Sequence, residues 1–381
     1  MTIKATTENV ASLVATKLTG AFPVLDASAL TGINAGPDSG ASDPTISTNP
    51  SGVGIVYENT TSGELFICID ATTGKNVWIN AGSGFGRIAS YSFQGTIAGF
   101  NAGSYVGDVI DKFTFASNAG ATDHGDLNVS ARGGVGAASS YAHGYGAGGS
   151  SGSPGVVVST ITEFPFASSS GSVDQGNLTT AKTYSAGHAM ETHGFTSSGQ
   201  PGTSNVINKY AFYSGADAND HGDMTRSTRS PGGHSSSTHG FTSGGYPNVN
   251  VIDTFPFAAP SGSVDHGDLA IVHHAFSSTS STTHGYTAGG YGPFSPAWHN
   301  AINKFAFASN TTAADHGDLV GGTRASNAGQ SSTTHGYSCG GTTTGGALQN
   351  SIEKYSYTSS AGSVDHGDLT VGRTDPAGHQ Y

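Results

Sequence analysis

The stretch His284-Gly-Tyr-Thr-Ala-Gly-Gly-Tyr291 opens a unit that continues through Ala301-Ile-Asn-Lys-Phe-Ala-Phe307 and ends on Asp315-His-Gly-Asp-Leu319. Its three signals recur along the chain. A His-Gly-aromatic start stands at His143, His193, His239, His284 and His335. Gln94-Gly95 takes the first place, so that successive copies lie 49, 50, 46, 45 and 51 residues apart. The Asp that opens the Asp-His-Gly-Asp-Leu segment recurs at Asp123, Asp174, Asp220, Asp265, Asp315 and Asp365. A period of this length belongs to radial β-repeats.

Between these signals each copy carries Ile-x-x-aromatic-x-aromatic, from Ile110/Phe113/Phe115 to Ile352/Tyr355/Tyr357. In a strand the two aromatics share one face and the Ile points to the other. A strand that is apolar on both faces belongs in a sheet sandwiched between neighbours, which the stacking of blades around an axis provides. Pro165 and Pro256, between the paired aromatics, remove a ladder donor and place the end of that strand beside an unpaired edge or a bulge.

One copy reads as four short strands: a Ser-rich one, the His-Gly-aromatic one, the Ile-aromatic one, and the segment after Asp-His-Gly-Asp-Leu. A basic residue precedes the first at Arg132, Lys182, Arg229, Arg324 and Arg373, with His273 in the fifth copy. The order Arg, Gly233-His234-Ser235, Phe241-x-x-Gly244-Gly245, aromatic strand is similar to the kelch motif. It departs from that motif in lacking the Trp of the fourth strand. The resemblance implies an all-β fold, a six-bladed kelch-like β-propeller over residues 85–381. Arg373 to His379 has the spacing of Arg324 to Gln330, so the C-terminus is expected to supply the missing first strand of the first blade.

Residues 1–84 form a separate N-terminal module. Val10, Leu13, Val14 and Leu18 are spaced as one stripe of a short helix over Glu8 to Leu18. Three strand-like runs beginning at Gly54, Glu64 and Val77, with turn residues between them, read as a β-meander. So small a sheet is expected to oligomerise or pack on a larger surface. Leu25-Asp-Ala-Ser-Ala-Leu-Thr-Gly-Ile33 and the stretch Asn49 to Gly82 resemble segments near the start of bacteriophage tail-fibre and other virion proteins, marine ones especially. The resemblance implies a virion protein attached to other virion proteins through residues 1–84. A trimer is the usual arrangement of such fibres.

Composition excludes several functions. A net charge of −12 with only 14 Lys and Arg and no basic cluster argues against nucleic-acid binding. Two cysteines, Cys68 and Cys339, fall in different modules and support neither a disulfide framework nor a metal site. No apolar run approaches a membrane span or a signal peptide.

The Asp-His-Gly segment reads as a turn in which the carboxylate accepts backbone N–H groups and Gly takes a positive φ. Its second copy, Asp174-Gln-Gly-Asn177, drops the groups a metal or acid–base role would need. The His-Gly histidines read as bridges between neighbouring blades through both ring nitrogens. No carboxylate pair stands outside the repeated segments, so the chain is expected to be no enzyme and to hold no cofactor or metal. What varies is the loop before the Ile-aromatic strand. In the fifth copy it carries Tyr291, Phe294, Trp298 and His299, and Tyr246 follows the Gly pair of the fourth. Aromatics on loops over a rigid scaffold suit recognition of a host-surface glycan or protein. The expected function is therefore a non-enzymatic fibre or adhesin on the virion surface. The alternatives are a structural decoration or filament subunit, or a glycan-active enzyme.

Overall fold

The computed structural model describes residues 38–81, 87–88, 92–105, 107–128, 132–151, 155–247, 249–294 and 297–381. The chain divides into two compact units, Met1–Ser90 and Tyr91–Tyr381. The helix expected over Glu8–Leu18 and the expected boundary at 84/85 both lie outside the described residues. All regular structure among the described residues is β.

The first unit contains one five-stranded sheet. The three expected strands are Val56–Asn59, Leu65–Asp70 and Val77–Asn80, extended by the short edge strands Asp38–Gly40 and Arg87–Ile88. Alternation decides its faces. Tyr57, Phe66, Cys68 and Trp78 form a buried cluster on one side, where Asn76 Nδ2 donates to Ile46 O and Asn49 Oδ1 and ties down the segment before the sheet. Leu65, Ile67, Ile69 and Ile79 are exposed; Ile67 and Ile79 stand directly opposite each other.

The second unit contains six four-stranded antiparallel sheets among the described residues. They are numbered here by their second strands: sheet 1 on Ala98–Ser104, 2 on His143–Ala147, 3 on His193–Ser197, 4 on His239–Ser243, 5 on His284–Ala288 and 6 on His335–Cys339. Sheet 5 shows the pattern, in the order Ser277–Ser280, His284–Ala288, Ala301–Ala306, Ala314–Asp318. Sheet 1 takes its first strand, Ala377–Gln380, from the C-terminus; Ala377 stands opposite Ala102 and His379 opposite Phe100.

That register corrects the reading of the first copy. Gly99, not Gly95, occupies the His-Gly position, opposite Phe113 as Gly285 is opposite Phe305. The strand Ala98-Gly-Phe-Asn-Ala-Gly103 thus replaces the His-Gly-aromatic segment, and Gln94 instead donates from Nε2 to Ser332 O at 2.7 Å. The glycine is obligatory because the facing aromatic ring lies across it: a Cβ at Gly285 would collide with Phe305. A second correction concerns Asp-His-Gly-Asp. It is the fourth strand itself, with a bulge at the His or Gln, and not a turn before that strand. Pro165 and Pro256 pair with the second strand alone, beyond the last residue matched by the fourth.

The apolar faces meet between successive sheets. Phe100, Ile110 and Leu127 of sheet 1 pack with Phe164 and Phe166 of sheet 2. Tyr145, Ile161 and Leu178 then pack with Tyr210 and Phe212, and the pattern repeats to sheet 6. There Tyr337, Ile352 and Leu369 pack with Phe113 and Phe115 of sheet 1. Each fully buried aromatic is worth on the order of 2 kcal/mol, so these clusters are the main cohesive term. The first strands also touch in sequence, and that of sheet 6 touches that of sheet 1. Their central residues are Gly378, Ala137, Gly187, Gly233, Ser278 and Gly329, small because neighbouring backbones crowd them. They line a narrow cavity of about 150 Å³.

At one mouth of this cavity six equivalent residues, Gly134, Tyr184, Ser230, Ala275, Ser326 and Asp375, all take positive φ. The N–H of Tyr184 donates to Gly134 O, Ser230 to Tyr184, Ala275 to Ser230, Ser326 to Ala275, Asp375 to Ser326 and Gly134 to Asp375. These six bonds form a cycle.

Candidate functional site

The first Asp and the His of the repeated fourth strands are bound up in the scaffold. In every Asp-His-Gly-Asp strand the Gly N–H donates to the first Asp, from 2.8 Å at Gly125–Asp123 to 3.0 Å at Gly367–Asp365. The Gly lies at positive φ, between 113° and 143°. The bulge turns the intervening His toward the next sheet. Nε2–H of His124 donates to Pro165 O, His221 to Pro256 O, His266 to Ala306 O, His316 to Ser356 O and His366 to Thr114 O, all within 2.7–2.9 Å. In sheet 2, Gln175 Oε1 accepts from Gly215 N instead.

A second set of bridges lies in the first strands. His188 Nδ1 donates to His234 O, His234 to Thr279 O and His379 to Ala138 O, each at 3.0 Å, and Gln330 Nε2 donates to Phe100 O. Complete burial pushes His188 and His379 down to about 4 and His234 to about 3, so all three are neutral at pH 7. The bridging role expected of the His-Gly histidines therefore belongs to these two other sets. His193, His239, His284 and His335 are only part-buried at the strand start, and each shares its Nδ1 hydrogen bond with the preceding Thr of its own sheet.

The basic residues before the first strands divide into two kinds. Arg373 Nη2 pairs with Asp111 at 2.6 Å and Arg324 pairs with Glu353; both arginines are buried. Lys182 donates to Val206 O, and burial lowers its pKa to about 8. The backbone marks their position: Gly149, Gly199, Gly245, Gly290 and Gly341 donate to the carbonyls of Lys182, Thr228, His273, Arg324 and Arg373 in turn. Thr228, not Arg229, is therefore the equivalent residue of sheet 4. Arg229 is displaced by one residue and faces the other way. The side chain of Arg132 is outside those described.

Arg229 heads a contiguous strip. Its Nη1 donates to Gln200 Oε1 at 2.8 Å, and its guanidinium lies 4.4 Å from the centre of the Tyr246 ring. Tyr246 meets His274 at 5.6 Å, His274 meets Tyr291 at 5.4 Å, and Tyr291 meets Trp298 at 5.6 Å, each edge to face. Tyr246 and Tyr291 are exposed. Isolated backbone bridges hold the strip: Thr183 with Gln200, Arg229 with Tyr246, His274 with Tyr291, and Tyr291 with Trp298.

Of the expected binding residues, Tyr246, Tyr291 and Trp298 are thus brought together. Phe294 is 71% exposed and makes no ring contact among the described residues. His299 is zipped behind the loop, its N–H donating to Gly290 O and its ring 6.1 Å from that of buried His273. Gln200, Arg229 and His274 were missed as site residues. Spacing held the signal for Arg229: Lys182–His188, Arg324–Gln330 and Arg373–His379 are six apart, whereas Arg229–His234 are five.

Compared with known protein families and with curated proteins, the chain matches none. Among the described residues no helix is long and apolar enough to cross a membrane.

Proposed function

We propose that Tyr91–Tyr381 is a six-bladed, kelch-like β-propeller and that the chain is a non-enzymatic phage virion protein which presents it to the host surface. The observation that carries the architecture is the cycle of six backbone hydrogen bonds through Gly134, Tyr184, Ser230, Ala275, Ser326 and Asp375. An open stack would leave its first and last members unpaired. The sixth aromatic cluster, which joins sheet 6 to sheet 1, supports the same reading.

For function, the support is a division of labour. The first Asp and the His that repeat in the fourth strands are held by bonds within and between sheets, while Gln200, Arg229, Tyr246, His274, Tyr291 and Trp298, which do not repeat, form a strip. A rigid scaffold carrying a non-repeating aromatic surface suits recognition. The exposed apolar face of Leu65, Ile67, Ile69 and Ile79 supports attachment of the N-terminal unit to other virion proteins, with copies of the chain assembling as a trimer.

Immunogold labelling of intact particles with antibodies against residues 91–381 tests this function. Gold on the outer surface is the expected result. Labelling only after the particles are disrupted would favour an internal structural subunit instead.

A further inference from the structure

Resting on that reading, we infer that the strip Gln200–Arg229–Tyr246–His274–Tyr291–Trp298 binds an acidic glycan, its carboxylate or sulfate held by Arg229 and its sugar rings by the aromatic side chains. Three observations lead there. The fold does not need these side chains. The bridge that pairs Arg229 with Tyr246 and His274 with Tyr291 is also made by Gly133 with Ser150 in sheet 2 and by Ala325 with Thr342 in sheet 6. Small residues serve there, so the Arg, His and tyrosines answer another demand.

The charge is also unpaired. Arg324 and Arg373 each have a carboxylate partner, but Arg229 forms no ion pair among the described residues, in a chain whose net charge is −12. Gln200 and the Tyr246 ring fix the guanidinium in place without neutralising it. A planar guanidinium held in this way is preorganised for a two-pronged grip on a carboxylate or sulfate.

The neighbours suit a sugar more than an inorganic ion. Tyr246, Tyr291 and Trp298 offer apolar ring surface with polar edges, which pyranose faces and hydroxyls match. His274 stands between the two tyrosines, edge to face with both, and holds them in one surface; burial and the charge of Arg229 lower its pKa.

The test uses the full chain against three immobilised oligosaccharide sets: uronate-bearing, sulfated and uncharged. The variants are Arg229→Gln, Tyr246→Ala/Tyr291→Ala, and Tyr141→Ala as an exposed tyrosine outside the strip, with thermal unfolding as the check on folding. Binding to a charged set, weakened at least about tenfold by Arg229→Gln and by the double variant, is expected. It should fall with added salt and be unchanged by Tyr141→Ala. The uronate and sulfate sets show which anion is the ligand. Equal binding of uncharged sugars, or full binding by folded Arg229→Gln, would overturn the acidic-glycan inference and leave surface recognition standing. Failure to bind any set would overturn it too, while the gold labelling reports separately on the virion reading.

Discussion

Sheets 6 and 1 and sheet 4 are built on the same repeat, yet they use an arginine in opposite ways. In sheets 6 and 1 the arginine stands six residues before the bridging residue of the first strand, enters the sheet and meets Glu353 or Asp111. In sheet 4 that position is Thr228, and buried Asp253 accepts from the Thr225 amide and hydroxyl and forms no ion pair among the described residues. The arginine follows one residue later, outside, over Tyr246. A displacement of one residue in a strand reverses the face. The same repeat thus places one arginine in the core against a carboxylate and another beside an aromatic ring.

The contrast is open to direct attack. Removing one partner of a buried pair strands the other, so Arg373→Met should cost about 3–5 kcal/mol in chemical denaturation. It acts where the C-terminal strand joins sheet 1, so the loss should appear in the unfolding of the whole second unit.

Acid should act through a different set. Buried His234 is down to about 3 from 6.5, so between those values the unfolded chain binds a proton that the folded one does not. Stability therefore falls as pH drops through that window, by about 1.4 kcal/mol per pH unit for one such histidine. His188 and His379 act in the same sense down to about 4. Asp375, raised to about 6 by burial, opposes them: its contribution is present at low pH and is lost as pH rises through 6. Since Gln330 does the bridging job in sheet 6, His234→Gln should retain the fold and flatten the acid limb of a stability-versus-pH curve.

Thr228→Arg sharpens the comparison from the other side. It would supply Asp253 with the cation that sheets 6 and 1 possess, and should raise stability by about 1 kcal/mol and lower the raised Asp253 pKa, seen by carboxyl NMR titration. The smallest effect is expected outside: Arg229→Ala should change stability by less than about 0.5 kcal/mol, measured in the same denaturation series as Arg373→Met.

Much of the scaffold was legible because its demands are periodic. The Ile-x-x-aromatic-x-aromatic segments mark surfaces covered on both sides, and the spacing of Arg373 and His379 pointed to the strand that joins sheet 1. What escaped depended on register and on which way a side chain turns. Gln94-Gly95 resembles His-Gly, but only Gly99 faces Phe113. The two sets of bridging histidines could not be told from the His-Gly set by residue type, since a bulge, invisible in composition, turns one of them toward its neighbour. The candidate surface was half legible: exposed aromatics on an irregular loop stood out, whereas Arg229 passed for one more strand-leading cation until its phase was counted.

The central claim is that the two ends of the second unit meet in one sheet and so complete the circle. Cysteines at Ala102 and Ala377, directly opposed across neighbouring strands, lie within disulfide reach. Oxidation of the folded monomer should link them within one chain, as a shift in non-reducing electrophoresis that vanishes on reduction. A link formed only between chains, or only after unfolding, would contradict the account.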